Sequence, residues 1–395
     1  MSDVIERIQA FNQGRNAERL NIKYRMMRES RFAFMRATCH LYYEDWPKQS
    51  TLNNTPATWI AGDLHPLNFA LYQGEGGQAY LDINDFDESI LAPCVWDVAR
   101  FLTSIQIAFV DYTTAQRQQI AQSYLDAYVA ALAADQIRSV QAATAPADLR
   151  RWMLKHSGHK REKLLNSYTV RGKKRRKFKS IQDKTFPLNE AERKRAIGLL
   201  DKWSKSREDA KHYKVIDVSG RIAGIGSVGL ERYVLLVEGG GSSDSNLLIE
   251  LKQRIDSALA SYVTIKQPDW ANAATRVVTL QQRLQAVPPA PLEAITKGAV
   301  SFTVREIQPI QEKIAVEQFH GLNELQESIE IFGKLTAWAH LRGCGRQGAA
   351  PADDLIALAG QSAWQTDVLK YALDYAKQIV ADYKVFSKSS LGKDK

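Results

Sequence analysis

The order of hydrophobic and polar residues divides the chain into two helical outer parts and a β-rich middle part. Near the start, Val4, Ile5 and Ile8 recur at helical spacing, and helical character extends over residues 3–46. Further helices are predicted over the following ranges: Val95–Val110, Thr114–Leu132, Arg150–Tyr168, Asn272–Ala286, Leu322–Leu341, Asp353–Ala359 and Trp364–Phe386. Between them, β-rich runs separated by Gly and Ser predict strands: Tyr213–Val218, Ile222–Gly226, Tyr233–Glu238, Leu247–Lys252 and Ser301–Ile307. The pattern therefore predicts an α+β fold.

A hairpin is predicted early in the chain. Phe69–Tyr72 and Gln78–Ile83 have the composition of paired strands, with glycines at 74, 76 and 77 in the turn between them. Polar residues stand where these apolar runs stop, with Asp63 and Asn68 before the first strand and Asp85 after the second. Because a hairpin brings its two ends together, Asp63 and Asn68 are expected to face Asp85. Oxygen ligands of this kind suit Mg²⁺, which needs only one or two carboxylates when substrate phosphates complete its shell.

Composition sets the broad class of protein. The chain has 395 residues, of which 45% are hydrophobic and 25% charged, as in ordinary globular proteins with a sizeable core. The polar start of the chain does not resemble a secretory signal, and the apolar runs are too short to span a membrane. Three widely spaced cysteines give no disulfide framework and no metal-binding spacing. A cytoplasmic protein without membrane contact is the expectation.

The net charge of +9 comes from one segment. Residues 150–179 contain thirteen Lys or Arg and a single acid, Glu162, which leaves the rest of the chain slightly acidic. Its densest part, Val170–Lys179, is interpreted first as a solvated loop, with an anionic partner such as nucleic acid or a phosphorylated substrate as the functional alternative. A second arginine-rich stretch, Met27–Arg36, could meet phosphates or acidic loops, and a solvated helix face explains it about as well.

A glycine-rich stretch lies between two predicted strands of the middle part. Glycines at such a place let the backbone approach a ligand and point N–H groups at phosphate oxygens. A strand follows that ends in Lys252. The candidate phosphate-binding residues of the loop are therefore Gly224, Gly226, Ser227 and Gly229.

Two motifs resemble the catalytic and metal-binding loops of aminoglycoside-phosphotransferase-type kinases. Residues 62–68 read GDLHPLN, and residues 83–88 read INDFDE. The resemblance implies that Asp63 accepts the proton of a substrate hydroxyl, while Asn68 and Asp85 bind Mg²⁺ that bridges the phosphates of ATP. It also implies that Lys252 pairs with the α- and β-phosphates, and it leaves supporting roles to His65, Asp87 and Asp97.

The helix Asn272–Ala286 stands where such kinases carry the acidic partner of the phosphate lysine. It contains neither Asp nor Glu, so Gln281 or Gln282 is the expected substitute. The order of parts differs as well, because the β-rich lobe follows the catalytic loop. We therefore expect a permuted, two-lobed kinase-like fold with a mostly helical large lobe over residues 1–210 and 315–395 and a smaller nucleotide-binding lobe over 211–314.

Several short motifs together resemble the kinase-like proteins of domain-of-unknown-function family 2252. They read FAFMR at 32–36, GDLHPLNF at 62–69, NDFDE at 84–88, WDVARFLTS at 96–104 and GIGSVG at 224–229. The resemblance implies an ATP- and Mg²⁺-dependent phosphotransferase acting on an unknown hydroxyl acceptor, with a small molecule favoured. Nucleotidyl transfer on the same fold, a non-catalytic nucleotide-binding scaffold and nucleic-acid binding through residues 150–179 are the alternatives.

Overall fold

A computed structural model describes residues 3–173, 175–314 and 321–393. Within these ranges the chain forms thirteen α-helices: α1 Val4–Phe11, α2 Ala17–Arg28, α3 Arg31–Ala37, α4 Cys39–Glu44, α5 Val95–Ala108, α6 Thr114–Ala133, α7 Ala147–Ser157, α8 Arg161–Tyr168, α9 Glu190–Ser204, α10 Ala273–Leu284, α11 Leu322–Gly343, α12 Ala352–Ala359 and α13 Ala363–Lys388.

The same ranges contain thirteen β-strands: β1 Ala57–Ile60, β2 Phe69–Gln73, β3 Ala79–Ile83, β4 Ile90–Pro93, β5 Thr169–Arg171, β6 Arg176–Phe178, β7 Thr185–Phe186, β8 Val215–Arg221, β9 Arg232–Val237, β10 Leu247–Arg254, β11 Leu292–Lys297, β12 Val300–Glu306 and β13 Gln311–Lys313. All strand pairs are antiparallel. The fold is α+β, as the sequence predicts.

The largest sheet has six strands in the order β11-β12-β10-β9-β8-β7. Strand β9 is buried on both faces, so its alternate residues serve two cores. Tyr233 and Leu235 pack with the helix α9, whereas Val234 and Leu236 pack with Leu165 and Tyr168 of α8. Helices on both sides therefore cover this sheet.

A helical core holds the rest of the chain together. Helix α6 packs along α11, and α5 packs along α13. Polar groups also cross the α6–α11 contact: the Tyr124 hydroxyl donates to Thr336 Oγ1 at 2.9 Å, and the Tyr128 hydroxyl lies 2.9 Å from His340 Nδ1. This core carries the smaller sheets β1-β4 and β13-β2-β3, at whose ends the acidic motifs stand.

The predicted hairpin is confirmed: β2 and β3 pair from Phe69 with Ile83 to Gln73 with Ala79. Two other expectations are wrong. Ile222–Gly226 is not a strand, because β8 ends at Arg221 and a 3₁₀ turn occupies Ile225–Ser227. The stretch Val170–Lys179 is not simply a solvated loop, because β5 and β6 pair there as a short hairpin. Arg176, the first residue of β6, is buried.

The predicted boundary at residue 211 stays a prediction. Strand β7 and helix α9 precede that residue, yet both belong with the six-stranded sheet. Strand β13 pairs with β2, which lies next to the acidic motifs. Among the described residues, no helix combines the length and the apolar composition needed to cross a membrane.

Candidate functional site

The segment after β1 turns sharply at Gly62, which has a φ of +85°. A Cβ atom at this position would lie 2.4 Å from the backbone oxygen of Glu88. A residue with a side chain would therefore be strained in conformation and would also collide with the neighbouring loop. Glycine is required where the chain approaches the second acidic motif.

Asp97 on α5 braces this turn. One of its carboxylate oxygens accepts the N–H of Ala61 and the other accepts the N–H of Gly62, both at 2.7 Å. His340 of α11 lies beside the same carboxylate, with Nε2 3.2 Å from Oδ2. The Tyr43 hydroxyl donates to the Gly62 carbonyl at 2.5 Å. Buried groups from three helices thus fix the backbone that presents Asp63.

Asp63 is oriented by one arginine. Arg100 Nε and Nη2 both donate to Asp63 Oδ1, at 2.9 and 2.8 Å. Burial raises the pKa of Asp63, and the Arg100 guanidinium opposes that rise. Because Oδ1 receives both bonds, Oδ2 is the oxygen suited to accept a proton from a substrate.

Asn68 and Asp85 line the same cavity as Asp63. The side-chain Nδ2 of Asn68 donates to the backbone carbonyl of Asp63. The backbone carbonyl of Asn68 accepts the Asn84 N–H at 2.8 Å, so the side-chain oxygen takes part in neither bond. Its amide oxygen is thus the atom suited to a cation. Burial acts to raise the pKa of Asp85, but Lys252 and Lys313 hold it below its ordinary value. An ionised carboxylate and an amide oxygen are the donors that Mg²⁺ takes.

Two adjacent cavities lie at this site, with volumes of about 60 and 100 Å³. Five residues line both of them: Asn68, Asp85, Gly224, Arg254 and Lys313. Asp63 and His65 line the first cavity, and Lys252 lines the second. His65 is buried, and burial lowers its pKa well below the usual value, so the ring is neutral at pH 7.

Lys252 pairs with Asp87, for which the sequence predicts only a supporting role. Its ammonium group contacts Asp87 Oδ2, and Arg254 contacts the other oxygen of the same carboxylate. Burial lowers the pKa of Lys252 to about 8, even though the charge of Asp85 raises it. The glutamines of α10 have other partners: Gln281 Nε2 donates to Gln285 at 3.0 Å, and Gln282 Nε2 contacts the Leu292 carbonyl.

The glycine-rich loop forms part of the lining of the first cavity. Gly224, Gly226 and Ser227 line it, whereas Gly229 packs outside, where a Cβ would lie 2.9 Å from the Arg15 side chain. Helix α2 and the connection before it hold this loop through one of its carbonyl groups. Gly226 O accepts Arg15 Nη1 at 2.8 Å and Lys23 Nζ at 3.2 Å.

One family model matches residues 15–389, and its description is "Uncharacterized protein conserved in bacteria". The match covers nearly the whole chain. The chain belongs to domain-of-unknown-function family 2252. No curated protein and no solved structure matches this family 2252 chain.

Sequence reasoning missed several cations of this family 2252 site. Arg36 of α3 and Lys313 of β13 both line the first cavity, and Arg36 Nε is buried without a hydrogen-bond partner among the described residues. Burial lowers the pKa of Lys313 to about 8, and the nearby Arg36 guanidinium lowers it as well. The excess of arginine in Met27–Arg36 was a signal for the first residue. For Lys313 the sequence carries no comparable signal.

Three arginines that line the second cavity are held together by one buried carboxylate. Glu250 is fully buried on β10 and pairs with Arg221, Arg232 and Arg305, the last two at 2.7 Å. Burial alone would raise the pKa of Glu250, but these guanidinium groups hold it well below its usual range. Its negative charge lets three arginines stand close together at the cavity.

Proposed function

We propose that this protein is an ATP- and Mg²⁺-dependent phosphotransferase with a permuted kinase-like fold, acting on a hydroxyl group of a small-molecule acceptor. The observation that carries the proposal is that Asp63, Asn68 and Asp85 line one cavity together with Gly224 and Gly226 of the glycine-rich loop. The acidic motifs and the glycine-rich loop are far apart in sequence, and chance turn residues have no reason to meet such a loop around one cavity.

The oxygen donors suit a magnesium ion. Asp85 and the amide oxygen of Asn68 would hold Mg²⁺, which on binding would offset charge on the transferred phosphate group. Asp85 stays ionised at neutral pH because the charges of Lys252 and Lys313 stabilise its carboxylate. This part of the site thus holds its negative charge ready for a cation.

The second cavity suits a polyphosphate. Among the residues that the structure describes, its lining cations are Arg221, Arg232, Lys252, Arg254, Arg305 and Lys313, and its one lining carboxylate is Asp85. Asp87 and Glu250 neutralise part of this charge through ion pairs, yet cations still outnumber carboxylates six to three. Preorganised positive groups stabilise the charge of transferring phosphoryl groups without reorganising during the reaction.

Asp63 would position the acceptor hydroxyl and take its proton. Arg100 holds the carboxylate through Oδ1, and Asp97 fixes the backbone on which it stands. Phosphoryl transfer depends mainly on positioning and charge stabilisation, so a rigidly held carboxylate meets its principal demand.

Nucleotide entry requires the glycine-rich loop to move. Sites for small ligands usually enclose about 300–1,000 Å³, more than the 60 and 100 Å³ present here. The bonds from Arg15 and Lys23 to Gly226 O hold the loop down. This closed geometry favours a second candidate, a non-catalytic scaffold that binds a partner rather than turning over nucleotide.

Analysis of nucleotide products separates these functions. Wild-type protein is incubated with ATP and Mg²⁺, and the products are identified by mass, with Asp63→Asn as the paired variant. We expect slow formation of ADP with water as the acceptor, reduced at least about 100-fold by the substitution. Formation of AMP instead of ADP would indicate nucleotidyl transfer rather than phosphoryl transfer. Equal traces of product from both proteins would contradict catalysis at Asp63 and favour the scaffold.

A further inference from the structure

A second group of metal-binding side chains lies outside the cavity, where α7 ends. His156 is on the last turn of α7, His159 follows the end of that helix, and Glu312 lies on β13. One ligand atom from each residue can be chosen so that all of them lie within 4.8 Å of one another. Of the residues that the structure describes, this is the one group of three or more His, Cys, Asp or Glu side chains with such spacing.

The distances suit a tetrahedral metal ion better than a hydrogen bond. His156 Nδ1 lies 3.6 Å from Glu312 Oε1, which exceeds the length of an ordinary hydrogen bond. Two ligands of one tetrahedral Zn²⁺ stand roughly 3.4 Å apart, because each metal–ligand bond measures about 2.0–2.2 Å. A small closing movement would therefore bring both atoms onto one ion.

His156 is prepared to act as a ligand. Its side chain is 12% exposed, and its Nδ1 atom is buried without a hydrogen-bond partner among the described residues. A buried polar atom without a partner is costly, and a metal ion would satisfy it.

We propose that His156, His159 and Glu312 form a binding site for a divalent transition-metal ion of the zinc type, with water as the fourth ligand. Two imidazoles and one carboxylate are a ligand set that Zn²⁺ accepts when one position stays open. The proposal is independent of nucleotide binding.

The location gives such an ion a structural consequence. Glu312 is followed directly by Lys313, which lines both cavities of the candidate site. Strand β13 pairs with β2 through Glu312 with Leu71 and Lys313 with Ala70. A metal ion would therefore tie the end of α7 to the strand that carries Lys313.

One exposed lysine opposes the ion. Lys163 Nζ lies 3.4 Å from His159 Nε2, and its side chain can swing into solvent because the residue is exposed. Replacing this lysine should strengthen metal binding, since the positive charge next to the ion would be lost. That variant is therefore expected to bind the metal ion more tightly than the wild type does.

The test is zinc affinity of the full chain, first freed of metal and then titrated with Zn²⁺ in competition with a chromophoric chelator. We expect one tightly bound ion per chain, binding at least tenfold weaker in Glu312→Gln and His159→Gln, and tighter binding in Lys163→Gln. His212→Gln is the matched control, because His212 lies in the separate turn Ala210–Tyr213, and its affinity should equal that of the wild type. Absence of binding, or equal affinity in all five proteins, would overturn the proposal.

Cobalt gives an independent readout of the same site. Co²⁺ at a tetrahedral site produces visible absorption bands, and it should quench Trp152, whose ring lies 5.0 Å from that of His156. We expect Trp152→Phe to retain the bands and lose most of the quenching. Spectra of octahedral, water-bound Co²⁺ in the wild type would contradict the proposed ligand set.

Discussion

Lys252 on β10 forms an ion pair with Asp87, two residues beyond Asp85 on the loop after β3. This pair joins the six-stranded sheet directly to the second acidic motif. Helix α10, which was expected to carry a partner for this lysine, takes no part in it. The contact therefore serves both to hold the sheet on the helical core and to place Lys252 beside Asp85.

The first prediction concerns the stability that this contact provides. Asp87→Asn leaves Lys252 and Arg254, each 7% exposed at the side chain, without their carboxylate. We expect the free energy of unfolding to fall by about 2–4 kcal/mol, because the remaining charges stay buried. Urea unfolding at pH 7 measures this change.

The matched control for that variant is Asp374→Asn. Asp374 pairs with Lys377 on an exposed helix face, with side-chain exposures of 55% and 78%. Its loss should leave the free energy of unfolding nearly unchanged, because water screens an exposed ion pair. Equal effects of the two substitutions would show that the Asp87 contact is not stabilising.

A second prediction concerns the turn at Gly62. Gly62→Ala adds a Cβ atom 2.4 Å from the Glu88 carbonyl at a position with positive φ. We expect destabilisation of at least about 2 kcal/mol, because both the local backbone and the neighbouring loop must shift. Thermal or urea unfolding gives the measurement.

Gly76→Ala serves as the comparison, since no heavy atom lies within 4 Å of the Cβ it would add. It lies in the exposed turn between β2 and β3, and it should change stability by less than about 0.5 kcal/mol. A mild effect at Gly62 would mean that the contact with Glu88 is readily relieved.

How far the sequence predicts this molecule depends on whether a feature is local. The β2–β3 hairpin follows from two runs of strand-like composition around a glycine turn, and its strands agree with the prediction to within one residue at their ends. Strand prediction failed at Ile222–Gly226, where Gly224 has a φ of +72° that a strand does not use. Apolar composition alone does not reveal that backbone geometry.

Other elements had signals that went unused. Helix α9 begins with a capping box in which Asn189 and Glu192 satisfy each other's backbone groups, yet no helix was predicted there. Strand β11 likewise received no prediction, although Gly298 marks the turn that joins it to β12. Strand β11 is the edge strand of the six-stranded sheet and α9 packs against that sheet, so the sequence underestimates this part of the fold.

In the candidate site, too, the residues near local sequence signals could be predicted, whereas residues brought in by the tertiary fold could not. Asp63, Asn68 and Asp85 could be predicted because they stand at the ends of recognisable strands. Lys313 could not be assigned, because it reaches the cavity from β13, far along the chain, and for Arg36 of α3 the only signal is the excess of arginine in Met27–Arg36. Proximity of that kind depends on how helices and strands assemble.

The third prediction is a pH dependence of ATP binding. Burial lowers the pKa values of Lys252 and Lys313 to about 8, and a bound polyphosphate would raise both by favouring the charged form. Binding therefore takes up protons above pH 8, so affinity should fall as pH rises, by up to about tenfold per pH unit for each lysine.

Calorimetry between pH 7 and 9.5 measures this slope. Lys313→Arg provides the comparison, because arginine keeps its charge across that range and should make the slope shallower. An affinity that is constant or rises with pH would contradict the placement of these two lysines against the phosphates.

The most direct test of the central claim is calorimetric titration of ATP with and without Mg²⁺, on the wild type and on Asp85→Asn. We predict binding that depends on Mg²⁺ and that the substitution weakens at least tenfold, or about 1.4 kcal/mol. Asp374→Asn should bind as the wild type does. Failure of folded wild-type protein to bind ATP in either condition, or undiminished binding by Asp85→Asn, would contradict a metal-dependent nucleotide site at Asp85.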